Sequence, residues 1–253
     1  ICLNLLQMEF EFQKYHGTGN DFILINDKSE KFPLHNSDRI RFLCDRKFGI
    51  GADGLIIIRN HDKFDFEMFY FNSDGMQGSL CGNGSRCALA FGINNNLFKN
   101  KVVFKAIDGI HTAKTESNNI FSLSFKDVKT IKRDKNALFL DTGSPHYVEL
   151  VESIDDINVR AKGSLIRNSN RYKKNGVNVN FFKIIGPDTI KIRTYERGVE
   201  DETLSCGTGA VASSIAFHFL QLTKFDKLKV ETPGGTLAVE FKFNSGIYKD
   251  IYL

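Results

Sequence analysis

Long apolar runs are missing from this chain. Nothing in its 253 residues approaches the stretch of about 20 needed to span a bilayer, so a helical membrane protein is excluded. Charge of one sign is also scarce. The formal net charge is +4, and most lysines stand singly between apolar residues, as on a solvated face. Neither nucleic acid nor a membrane is an expected partner. There is no Cys-x-x-Cys pair, and no histidine lies at a ligand-like interval from Cys81 or Cys206, so no metal is expected. The five cysteines are an odd number, which does not suit a secreted disulfide framework. Residues 1–7 are apolar but lack a basic region and a small-residue cleavage site, so they do not read as a signal peptide. Met8 reads as a native start, with residues 1–7 an upstream extension holding Cys2. The expected compartment is the cytoplasm. The length suits one large domain or two ordinary ones.

What is present is a motif written twice. Cys-Gly-x-Gly stands at Cys81-Gly82-Asn83-Gly84 and at Cys206-Gly207-Thr208-Gly209, each before a helix-like run, 85–92 and 210–220. Eleven residues before the thiols stand Tyr70 and Tyr195; nine before stand Asn72 and Arg197. A glycine turn follows each thiol, at Gly109, 28 residues on, and at Gly234-Gly235, 28 or 29 on. Matches in the same order at near-equal offsets predict a duplicated strand–loop–helix–hairpin unit. The fold class is therefore α+β: two homologous domains, each mostly antiparallel strands around a central helix, whose two glycine turns, if they face each other, would place an active site in the cleft between them. The join is expected in the polar stretch 126–135, giving domains 1–128 and 129–253. Strands are expected at 10–15, 22–26, 55–58 and 65–71 from apolar alternation or runs. A helix is expected at 37–44, capped by Ser37 or Asp38. Residues 168–175 read as an exposed loop.

A glycine-rich turn into a helix presents unpaired N–H groups and the positive end of the helix dipole. A carboxylate binds there, and a thiol there is expected to lose its proton more easily. Two such turns facing each other would hold a substrate carboxylate between them and its α-carbon between two sulfurs. One thiolate removes the α-proton, and the opposite thiol returns a proton to the other face. A lone cysteine beside a helix is commonly just a small packed hydrophobe. Cys44 and Cys87 are read that way; the following Gly-x-Gly sets Cys81 and Cys206 apart.

Together the motifs resemble those of the diaminopimelate epimerases. They are Lys14-Tyr15-His16-Gly17-Thr18-Gly19-Asn20-Asp21-Phe22, Phe71-Asn72-Ser73-Asp74-Gly75, Cys81-Gly82-Asn83-Gly84-Ser85-Arg86-Cys87, Tyr195-Glu196-Arg197-Gly198 and Cys206-Gly207-Thr208-Gly209-Ala210. The resemblance implies interconversion of LL- and meso-diaminopimelate without pyridoxal phosphate or metal, for lysine and peptidoglycan precursor synthesis. It implies that Cys81 and Cys206 are the acid/base thiols. Gly82, Asn83, Gly207 and Thr208 would serve the reacting carboxylate, and Asn20, Asn72 and Asn178 would bind substrate. Glu196 and Arg197 would grip the distal amino-acid end, a carboxylate for its ammonium and a planar fork for its carboxylate. His146 matches a histidine near the thiols. A homodimer is compatible with the resemblance.

Alternatives stay open for single residues. Asparagines in glycine loops often only turn the backbone, adjacent Glu and Arg are commonly surface charges, and His146 could be a hydrogen-bonded structural residue. Three departures stand out. Ser144 occupies a position where many members have a substrate-binding asparagine. Gly54 replaces a glutamine. The chain stops at Leu253, where a Thr-Gly turn and a last strand returning to the first domain are expected but missing. Rival functions are a cofactor-independent proline or hydroxyproline racemase, a thiol–disulfide or metal protein, and a non-catalytic amino-acid-binding module.

Overall fold

The structure, a computed structural model, describes residues 9–78, 80–117 and 119–253. Cys2, Met8 and the expected extension lie outside them. In the first half, β1 (Gln13–Gly17) and β2 (Asn20–Asn26) form a hairpin. The helix α1 (Ser37–Cys44) follows. Its cap is Asn36, whose Oδ1 accepts from the Arg39 N–H at 2.9 Å. Ser37 is already the first helical residue, and a cap must stand just outside with a non-helical backbone. Next come β3 (Gly54–Arg59), β4 (Phe66–Asn72), α2 (Gly82–Asn94), β5 (Lys101–Ala106), β6 (Gly109–Ser117) and β7 (Ile120–Phe125). The run Leu55-Ile56-Ile57-Ile58 is fully buried because β3 has packed layers on both faces.

The second half holds β8 (Ile131–Asp134), β9 (Ala137–Asp141), β10 (Pro145–Leu150), α3 (Val159–Arg167), β11 (Asn178–Ile184), β12 (Thr189–Glu196) and β13 (Asp201–Thr203). It ends with α4 (Gly207–Phe219), β14 (Lys227–Thr232), β15 (Gly235–Asn244) and β16 (Ile247–Tyr252). The polar stretch 126–135 is therefore not all connection, since it contains β8. The loop at 168–175 is not idle either. Tyr172 is 8% exposed and its hydroxyl donates to Asp134, which Arg171 also meets at 2.7 Å.

The duplication is visible in the pairing. In the first half β2 runs parallel to β3, β3 antiparallel to β4, β4 parallel to β5 and β5 antiparallel to β6. In the second half β10, β11, β12, β14 and β15 repeat that alternation. Each half wraps its sheet around one helix. Residues 207–217 of α4 are all buried, as befits a helix enclosed by a sheet. Cys44 and Cys87 are 3% and 4% exposed in the core.

The halves meet edge to edge. The last strand, β16, pairs with β15 on one side and with β7 on the other, through Ile251↔Phe125 and Tyr252↔Ser124. Leu253 and Leu123 exchange backbone bonds of 2.9 and 2.7 Å. The expectation that no strand returns to the first domain is thus corrected: β16 itself reaches it.

The register also corrects the repeat by one residue. Ile56 pairs with Tyr70 and Leu55 with Phe71; in the second half Asn180 pairs with Thr194 and Val179 with Tyr195. A β-carbon on Gly84 would touch Ile56, and one on Gly209 would touch Asn180, so Ile56 and Asn180 are the equivalent positions. Tyr70 then corresponds to Thr194, Phe71 to Tyr195 and Asn72 to Glu196. Nine residues separate Asn72 from Cys81, but ten separate Glu196 from Cys206. Equal counting aligned Tyr70 with Tyr195, yet a one-residue slip places them on opposite faces. Tyr70 faces the cleft, while Tyr195, 2% exposed, packs under α3, where a β-carbon on Gly163 would lie 2.4 Å from its own.

Candidate active site

Cys81 and Cys206 are the cap residues of α2 and α4, with near-identical extended backbones (φ −101°, ψ 112° and φ −119°, ψ 109°). The first turns of the two helices abut. A β-carbon on Gly207 would lie 3.4 Å from the Gly82 α-carbon and 2.8 Å from Leu253 Cδ2, so a side chain there would have to push the leucine tip aside. Both thiols line one cavity of about 190 Å³ between the halves, and both are free. Gly82, Asn83, Gly207 and Thr208 form its base at the helix starts.

The Cys81 sulfur accepts from the Gly84 N–H at 3.4 Å; the Cys206 sulfur meets the Thr208 hydroxyl at 3.4 Å. Both thiols were expected to be acidified. The structure gives the opposite direction. Burial first, then the nearby Glu196 charge, pushes Cys81 up to about 12, and the same two causes push Cys206 up. The N–H groups act the other way but are outweighed by removal from water. Both cysteines are therefore neutral thiols at physiological pH.

Around them the expected polar residues converge. Asn20 donates to Asp53 at 2.8 Å, while its Oδ1 accepts from the Asn83 amide at 3.3 Å and lies 3.7 Å from the Cys81 sulfur. Asp53 is held in turn by Arg46 at 2.7 Å, which also grips Asp21. The Asn83 amide reaches across the cleft to the Ser205 carbonyl at 2.8 Å. Asn178 accepts the Arg197 N–H at 2.8 Å, and the Arg197 guanidinium donates to the Asn175 carbonyl at 2.9 Å. Burial raises Glu196 from 4.5 to about 7 against the hydroxyl of Thr203 donated at 3.1 Å. Asn72, Asn178, Glu196, Arg197 and Ser144 all line the cavity.

His146 does not line the cavity. It is 0% exposed, its Nδ1 lies 2.9 Å from the Asn180 amide, and its Nε2 has no partner among the described residues. Burial lowers it from 6.5 to about 3, so it is neutral, with Nδ1 accepting. The sequence missed Tyr70, Gln77, Gly78, Leu80, Gly198 and Ser205 as wall residues. Only Tyr70 carried a usable signal, since it stands two residues from Asn72 on one strand and so shares its face.

Comparisons with known proteins fit this geometry. A family model described as diaminopimelate epimerase matches residues 12–123 and again 138–249. The diaminopimelate epimerase of Flavobacterium psychrophilum is 47% identical over 240 residues, covering 95% of this chain and 94% of that one. The chain belongs to the diaminopimelate epimerase family. Another member, from Aquifex aeolicus, is 39% identical over 262 residues, covering 96% and 93%. Among solved structures, a phenazine biosynthesis protein of the PhzF family from Bacillus anthracis superposes with a TM-score of 0.74 at 12% identity, covering 96% of this chain and 94% of that one. A probable proline racemase from Agrobacterium radiobacter gives 0.71 at 16% identity, covering 96% and 88%. At such identities the likeness is one of fold. Diaminopimelate epimerases thus share their two-domain frame with proteins named for other activities, and the pocket must carry the distinction.

Proposed function

We propose that the protein interconverts LL- and meso-diaminopimelate by moving an α-proton between Cys81 and Cys206, without a cofactor, in cytoplasmic synthesis of lysine and peptidoglycan precursors. The observation that carries this reading is the juxtaposition of the two cysteine-capped helix starts on one 190 Å³ cavity. The substrate carboxylate lies against the N–H groups of Gly82 and Asn83 on one side and Gly207 and Thr208 on the other. Both helix dipoles favour an anion there, and favour it more as charge moves onto it in the transition state.

The raised thiols fit this scheme. In a buried pocket an unpaired thiolate is costly. A substrate brings an α-ammonium, and opposite charge at close range favours the thiolate it must create. One sulfur, its own proton having passed to solvent as the substrate enters, then takes the α-proton, the electron pair of the C–H bond delocalises into the carboxylate, and the opposite thiol delivers its own proton to the other face. The carbon inverts and the roles of the two sulfurs exchange.

The distal end is read by charge. Arg197, oriented by Asn178 and the Asn175 carbonyl, forks onto the distal carboxylate; Glu196 takes the distal ammonium. Asn20 and Asn72 supply further hydrogen bonds. Ser144 lies on the same wall with a hydroxyl in place of an amide. His146 supports the site through Asn180 and does not touch substrate.

The test is to incubate the protein with LL-diaminopimelate in deuterated water. Deuterium at an inverted α-carbon is expected. Binding without exchange would leave only an amino-acid-binding module. The pair Glu196–Arg197 disfavours proline, which has no distal amino-acid end. Turnover of proline but not of LL-diaminopimelate would overturn the assignment.

A further inference from the structure

Tyr70 sits in a slot between two glycines. A β-carbon on Gly54 would lie 2.7 Å from Tyr70 Cε2, and one on Gly78 would lie 2.6 Å from Cε1 and 2.8 Å from Cδ1. Cε1 and Cε2 are the two ring carbons that flank the one bearing the hydroxyl. A side chain on Gly78 would strike the ring, and one on Gly54 would strike both the ring and the Phe71 carbonyl, 2.6 Å away. Phe22 meets the ring edge-on at 6.0 Å, and the Gly78 N–H donates to the Tyr70 carbonyl at 3.0 Å, holding the second glycine in place. A ring pinned at both edges has one place for its hydroxyl. It donates 2.7 Å to Asn72 Oδ1.

That bond fixes the facing of the Asn72 amide through the phenol proton: turned the other way, the amide NH₂ would donate to the phenol oxygen and leave that proton without the acceptor it has here. An asparagine side chain offers an oxygen and an NH₂ of nearly equal shape, and its partners choose between them. With the oxygen held by Tyr70, the nitrogen points across the cleft. It lies 4.0 Å from where a β-carbon of Gly198 would be, beside Arg197. Burial, with the charges of Cys81 and Glu196, raises Tyr70 well above 10, so it stays a phenol and a donor.

We infer that Tyr70, wedged between Gly54 and Gly78, is a positioning residue that sets the Asn72 amide as a hydrogen-bond donor toward the distal carboxylate of the substrate. The absence of a side chain at Gly54 is then not a lost contact. It leaves room for the phenol beside the Phe71 carbonyl. A donor at this place selects for an anionic distal group and against an ammonium, complementing Arg197. The inference rests on the function proposed above.

The experiment compares kinetics on LL-diaminopimelate for the wild type, Tyr70→Phe, Asn72→Ala, the double variant and Gly78→Ala. Tyr70→Phe keeps the ring and removes only the hydroxyl, so the fold is retained, as circular dichroism will verify. Its KM is expected to rise about tenfold, with kcat far less affected, because one hydrogen bond to a charged group is released in ground and transition state alike. In the Asn72→Ala background the same change should add nothing, since Tyr70 acts through Asn72. Gly78→Ala displaces the phenol without removing it and should raise KM in the same sense. An unchanged KM in Tyr70→Phe, or a full additional effect on top of Asn72→Ala, overturns the inference while leaving the proposed function intact. A wild type that does not turn over diaminopimelate removes both.

Discussion

The two halves of the site share a backbone and differ in what lies beneath the helix starts. Under α2 and Cys81 the floor is Phe22, Ile56 and Tyr70; at the equivalent positions under α4 and Cys206 it is His146, Asn180 and Thr194. The first floor is apolar apart from one phenol. The second is a buried hydrogen-bonded group: the Asn180 amide meets His146 Nδ1 at 2.9 Å and the Tyr147 carbonyl at 3.1 Å, while Thr194 donates to Asn180 Oδ1 at 2.9 Å. The difference teaches where symmetry is required. Proton transfer needs the same group on both faces of one carbon, so the caps match. Substrate orientation needs the two ends of the molecule to be told apart, so everything one layer out diverges. Even the spacing diverges: the extra residue between β12 and Cys206 places Arg197 beyond Glu196, where the first half has Asn72 alone.

The comparison is broken most severely at the caps. Cys81→Ala and Cys206→Ala should each lower epimerisation by about 10²–10⁴ or more, as loss of a positioned acid or base does. Deuterium exchange in single-variant enzyme checks this, and near-normal turnover in either variant would refute the two-base scheme.

Glu196 has no acidic counterpart in the first half, so a pH profile isolates it. Its ionised form pairs with the distal ammonium, so kcat/KM should rise as pH climbs through about 7. For stability the sign is opposite. The folded carboxyl titrates near 7 against an ordinary 4.5, so the folded state binds more protons in that window, and stability falls as pH rises from 4.5 to about 7. Glu196→Gln should flatten both slopes; a wild-type acid limb that survives in this variant would assign the titration elsewhere. His146, lowered from 6.5 to about 3, contributes stability that is present above 6.5 and lost as pH falls toward 3. Unfolding series of the Glu196 variant should then retain that slope, to which His218, also lowered by burial, adds in the same direction.

A smaller effect separates the last glycines of the two motifs. A β-carbon on Gly209 would lie 2.3 Å from Asn180 Oδ1, whereas one on Gly84 would lie 2.8 Å from the tip of Ile56. An isoleucine methyl moves; a buried amide held by several partners does not. Gly209→Ala should cost about 1–3 kcal/mol of stability, and Gly84→Ala distinctly less. Denaturant melts give the order, and equal losses would mean that the polar floor is no stiffer than the apolar one. Smallest, Thr194→Val leaves Asn180 Oδ1 without its donor, which should cost about 1 kcal/mol in the same melts.

Much of this was legible in the chain. The twin Cys-Gly-x-Gly motifs named the caps, and the residues assigned to the substrate fell on the cavity wall, with His146 behind it. What failed was counting along the chain. A spacing of eleven residues aligned Tyr70 with Tyr195, but sheet pairing set them on opposite faces, because alternation makes any one-residue insertion a reversal of side. Thiol acidity also failed, since the helix start is written locally while burial is not.

The sequence by itself determined the duplication, the two helix caps and the chemical kinds available to the site, because capping, glycine turns and apolar alternation act over a few neighbouring residues. Only the tertiary structure decided that the caps share one cavity, that β16 joins the halves, that desolvation raises both thiols, and that Tyr70 occupies the space a glycine leaves open. Those depend on the register of distant strands and on exclusion of water, which no local stretch of chain encodes.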